Sequence, residues 1–171
     1  MQTTTTVRLH SLEYNDAKTY LAALLFVLGN IALPQLFHLV PQGGMIWLPI
    51  YFFTLIGAYK YGWRVGLLVA VASPLVNSFL FGMPLPSALP AILLKSVLLA
   101  VAAGITARRS GRVTLPLLAG VVLAYQVLGT LGEWALKGDF YLAAQDFRIG
   151  IPGMLLQVVG GWLFINRLIH N

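Results

Sequence analysis

Residues 63–109 read WRVGLLVAVASPLVNSFLFGMPLPSALPAILLKSVLLAVAAGITARR, and this stretch decides the fold. Two apolar runs, Trp63 to Leu80 and Ala88 to Thr106, flank an uncharged loop rich in glycine and proline. Arg64 stands at the far end of the first run, Arg108 and Arg109 follow the second, and Lys95 is the one charge between them. Each run has about the 17–25 residues that cross a hydrocarbon core, and the intervening glycine and prolines break a helix. The stretch therefore reads as two membrane-spanning helices joined on the side that lacks basic residues.

The pattern continues in both directions, with apolar segments at Thr19 to Val40, Met45 to Tyr59, Val113 to Ala135 and Gly150 to Ile169. Met45 to Tyr59 is short, near the lower limit for a span. The expectation is an all-α membrane protein, a compact bundle of six transmembrane helices. Residues 1–18, with the threonine run Thr3 to Thr6, form a cytoplasmic N-terminal tail, and residues 19–171 form one transmembrane domain. Of 171 residues, 58% are hydrophobic and 9% charged, against about 25% charged in soluble domains, which leaves no room for a separate soluble catalytic domain. The net charge of +6 does not point to nucleic acid, because the basic residues sit at span ends without aromatic interleaving. Cysteine is absent, so no thiolate metal site or cysteine nucleophile exists. The first apolar run is expected to be retained: Glu13 and Asp16 precede it, and Pro41-Gln42-Gly43-Gly44 follows without a cleavage motif.

Basic residues set the orientation. Arg8, Lys18, Lys60, Arg64, Arg108, Arg109, Arg112 and Arg167 all fall on one side of a six-span topology. The other side has two neutral turns and a mixed loop with Lys137, Asp139, Asp146 and Arg148. The positive-inside rule places both termini in the cytoplasm.

With that orientation, Lys95 lies about 10 Å below the outer interface, at 1.5 Å of rise per residue. Tyr125, Gln126, Gly129, Thr130 and Glu133 share one face of the fifth span, confined to its outer half. Asn77, Gln157, Gln35 and His38 lie at similar depth, whereas the inner halves of the spans offer only apolar and small side chains. This asymmetry favours an outward-facing binding vessel over a channel. The candidate substrate-binding residues are Lys95, Glu133, Gln126, Thr130, Gln157 and Asn77, with Trp47 and Trp134 as covering aromatics. Each has a structural reading too. Lys95 and Glu133 form an ion pair in that reading, the amides and Thr130 bond between helices, and the tryptophans belong to an aromatic belt. Gly62, Gly66 and Ala70 recur every four positions and permit close helix approach, inside the bundle or to a partner.

The stretch Gly82-Met83-Pro84-Leu85-Pro86-Ser87-Ala88-Leu89-Pro90, after a span containing Pro74-Leu75-Val76-Asn77 and before a Gly- and Ala-rich span, resembles substrate-binding S components of energy-coupling factor (ECF) transporters. The resemblance implies a multi-pass subunit of a bacterial inner (plasma) membrane that captures a vitamin or related micronutrient from outside. It also implies partners, a transmembrane scaffold subunit and two ATPases, which power release inwards. By position, the turn Pro41 to Gly44 and the loop Leu136 to Ile149 would gate the site. Two departures stand out. Relatives often carry an acid where Lys95 stands, which allows a different or anionic substrate. Ala22 and Ala23 also lack the small partner four residues on that relatives use toward the scaffold. No G-x-x-x-x-G-K-[ST], H-E-x-x-H or G-x-S-x-G motif occurs, and neither a metal site, a cofactor nor an enzymatic activity is expected. The competing reading is a structural multi-span protein resembling the cell-shape protein of the rod complex, without a ligand. A third, weaker reading makes Lys95 and Glu133 a proton-transfer pair.

Overall fold

Pro49, which has no N–H to give a helix, splits the second apolar segment. The computed structural model describes residues 8–168; the Thr3 to Thr6 run and the last residue of the sixth apolar segment lie outside them. Helix α1 is Ala17–Phe37, and α2 is the short Gly43–Trp47. A 3-10 turn at Pro49–Tyr51 leads into α3, Phe52–Tyr61. Leu48, between α2 and the 3-10 turn, sits at φ 47 and ψ 45, the left-handed region that a bulky side chain rarely adopts. Then come α4 (Trp63–Phe81), α5 (Leu89–Ser110), α6 (Leu115–Lys137), α7 (Phe140–Ala143) and α8 (Gln145–Ile149). Residues 151–168 form α9, whose α turns alternate with π turns at Leu156–Gly160 and Phe164–Leu168.

No strand occurs among the described residues, as the apolar pattern predicts. Helices α1, α4, α5 and α6, of 21, 19, 22 and 23 residues, are long and apolar enough to cross a membrane. Their ends follow from local chemistry. Asp16 caps α1 by accepting from the Lys18 amide at 2.9 Å, and Gly82 closes α4 at a φ of 67 that a side chain would oppose. Large apolar residues point outward: Leu21, Leu24, Leu25 and Leu28 on α1, Leu128 and Leu131 on α6, and Phe79, 89% exposed, on α4. A continuous apolar exterior of this kind needs lipid around it.

The small residues of α4 face inward. A Cβ on Gly66 would run into Ala58 of α3 and lie 3.1 Å from the Ala100 Cβ of α5. The four-residue spacing thus serves packing within the bundle, where α3, α4 and α5 meet.

One end of the bundle gathers Lys60, Arg64 and Arg112. The His10 and Leu12 amides donate to the carbonyls of Lys60 and Tyr61 at 2.8 and 3.1 Å, and Arg64 pairs with Glu13 at 2.7 Å. The Tyr59 hydroxyl reaches the Arg112 carbonyl at 2.9 Å, so the α5–α6 junction lies at the same end. Burial there, with Lys60, Arg8 and Lys18 nearby, holds the His10 imidazole below its ordinary range. The first described part of the tail is therefore clasped to the α3–α4 junction.

Candidate functional site

At the opposite end, a cavity of about 690 Å³ opens between the end of α1, the end of α4, the start of α5 and two proline-bearing turns. Pro41 to Met45 form one wall and Met83 to Leu85 another, with Pro34, Ile50, Ala88 and Ile92 contributing apolar surface. Its polar side chains are His38, Gln42 and Asn77, and no charged side chain lines it among the described residues. The volume falls within the range of small-molecule sites, roughly 300–1,000 Å³.

Asn77 holds this wall for a reason that begins at Pro34. A proline within a helix cannot donate to the carbonyl four residues earlier, so Pro34 leaves the Asn30 carbonyl free. Asn77 Nδ2 supplies the missing bond at 2.9 Å and also donates to the Ser73 carbonyl at 2.9 Å. The Asn30 side chain completes a three-helix junction: its Nδ2 donates to Thr54 Oγ1 at 3.0 Å and Ser73 Oγ at 3.2 Å, and its Oδ1 accepts from the Phe53 amide at 3.1 Å. Asn77 is fully buried, and its Oδ1 has no hydrogen-bond partner among the described residues.

A second cluster lies between α5, α6 and the α7–α8 loop. The Lys95 ammonium, 3% exposed, sits 2.7 Å from Glu133 Oε2 and 2.8 Å from Asp146 Oδ2. Lys137 pairs with the other oxygen of Glu133 at 2.6 Å, one helical turn along α6. Gly129 makes room for the lysine stem, since a Cβ there would lie 2.5 Å from Lys95 Cγ. Two cations thus meet two anions, and the charges of the cluster balance. Deeper in, Tyr125 donates to Gln157 Oε1 at 2.9 Å and accepts from Gln126 Nε2 at 3.2 Å. Ser96 Oγ, Gln126 Oε1, Thr130 Oγ1 and Gln157 Nε2 are buried without partners among the described residues. Gln157 lies in the first π turn of α9, a distortion that re-aims side chains.

The structure thus brings Lys95, Glu133, Gln126, Thr130 and Gln157 into one polar region and puts Asn77 in the cavity wall. Trp47 stacks on Phe37 at 5.4 Å, and its backbone abuts Gly153 of α9, so it braces the turn after α1. Trp134 is 46% exposed, edge-on to Phe140, and does not line the cavity. The two loops at this end touch, Gln145 Nε2 reaching Met45 Sδ at 2.7 Å, and Met45 is itself part of the cavity wall. Sequence reasoning missed Asp146 as a partner of Lys95, because 51 positions separate them and no local periodicity links a loop acid to a span. It missed Asn30 too, although an asparagine four residues before an in-span proline was a usable signal. Compared with known protein families, curated proteins and solved structures, the chain matches none.

Proposed function

We propose that the chain is the substrate-capturing subunit of an ECF-type importer of a small micronutrient, seated in a bacterial inner membrane with both ends inside. In this reading α1, α3, α4, α5, α6 and α9 are the six spans, α3 being the short one. A separate scaffold and two ATPases drive release of the cargo inwards. The observation that carries the proposal is the 690 Å³ cavity at the end opposite Lys60, Arg64 and Arg112, walled by turns from two different loops. A purely structural bundle has no need of such a space. The α7–α8 loop acts as a lid, tied to α5 by the Lys95–Asp146 bond and to the first turn by Gln145 and Met45.

Two measurements test this together. Reporter fusions at Arg109 and after Asn171 are expected to be cytoplasmic and a fusion at Ser87 external. Affinity purification from the native membrane is expected to bring down an ATP-hydrolysing partner, and uptake of the cargo requires it. An external Arg109 overturns the orientation; uptake that persists without any ATPase overturns the importer reading.

A further inference from the structure

We infer that the cargo is an electrically neutral, mainly apolar small molecule that presents a hydrogen-bond donor to Asn77. The inference rests on the cavity being the capture site and goes further by naming what fits it.

Charge is the first criterion. Among the described residues, an ionised group in this cavity would find no lysine, arginine, aspartate or glutamate side chain to pair with, and His38 is the one lining side chain that can carry charge. Leaving water for such a wall is strongly unfavourable to a charge and favourable to apolar surface. The nearest candidate counter-ion on α5, Lys95, already contacts two carboxylates, and Glu133 is shared with Lys137. The other outer cation, Arg148, lies over the Tyr141 ring at 3.5 Å. A charged cargo would have to break these contacts.

Hydrogen-bond polarity is the second. Both Asn77 N–H groups are committed to backbone carbonyls, which fixes the amide orientation and leaves Oδ1 as an acceptor without a partner. A buried acceptor left unpaired is costly, and a ligand N–H or O–H that parts the wall over Asn77, which is fully buried while the cavity is empty, removes that cost. A ligand offering only acceptors gains nothing there. His38 and Gln42, on the turn side of the wall, suit a smaller polar end facing the mouth.

The test uses a matched series of naphthalenes on the full chain in nanodiscs: 2-naphthol, 2-methoxynaphthalene and 2-naphthoate. Affinities are read by displacement and by the shift in melting temperature. The expected order places 2-naphthol about three- to tenfold tighter than 2-methoxynaphthalene, the range of one neutral hydrogen bond, with 2-naphthoate weakest. Asn77→Leu is expected to abolish the preference for the hydroxyl. That variant also loses the bonds to Asn30 and Ser73, so Ala88→Phe, which fills the cavity and touches neither, is the second one. It is expected to weaken binding of the whole series. Tighter binding of 2-naphthoate, or equal binding of the two neutral probes, overturns the inference and leaves the cavity as the site. Binding that ignores Ala88→Phe, or no binding by any probe, overturns the inference, and the former removes the cavity as the site as well.

Discussion

Lys95→Met is expected to lower the stability of the empty protein by about 3 kcal/mol, the order of effect found when one member of a buried ion pair is removed. At about 2–4 °C per kcal/mol for a chain of this size, the melting temperature should fall by roughly 6–12 °C. Methionine preserves most of the stem that Gly129 accommodates, so packing changes little. What changes is that Asp146 loses its cation, while Glu133 keeps Lys137 at 2.6 Å. The asymmetry gives a sharper result than the single variant does. Adding Asp146→Asn to Lys95→Met should recover most of the loss, whereas adding Glu133→Gln should recover little. Lys95→Met should also free the α7–α8 loop, measured as faster hydrogen exchange over residues 139–149. If instead cargo affinity falls while the melting temperature stays level, Lys95 is a ligand group and not a tether.

Asn30→Ala should cost about 2 kcal/mol, since its amide joins α1 to Thr54, Ser73 and the Phe53 amide. Interhelical hydrogen bonds in membranes are individually modest, on average about 0.6 kcal/mol, and three of them act through this one side chain. The Phe53 amide is among the first N–H groups of α3, which have no partner within their own helix, so its loss is the costliest of the three. Ser73→Ala removes a single 3.2 Å bond and should cost far less. Melting curves of the two variants in the same detergent check the ranking. Equal effects would mean that the junction is held by packing alone.

These residues also mark what a sequence can disclose. The four long helices were legible because each is a continuous apolar run bounded by glycine, proline or arginine, and that information is local. The shared face of Tyr125, Gln126, Thr130 and Glu133 was legible for the same reason, through the helical period. The broken second segment was less so, since Pro49 announces a helix start but not the left-handed Leu48 before it. Contacts across the bundle were not legible at all. Lys95 meeting Asp146, and Asn77 meeting the carbonyl released by Pro34, depend on how spans rotate against one another. The cavity belongs to the same class. It arises where α1 and α4 part beside two proline-bearing turns, and no single segment encodes that space.

The central claim is that this outer cavity holds a captured small molecule, and native mass spectrometry of the chain released from nanodiscs tests it most directly. Protein isolated from cells grown in rich medium is predicted to carry one small molecule of a single mass per chain. Ala88→Phe protein, checked for the same helical content and elution, is predicted to carry none. A wild-type chain that is always empty, or an adduct that survives Ala88→Phe at the same occupancy, would contradict the account.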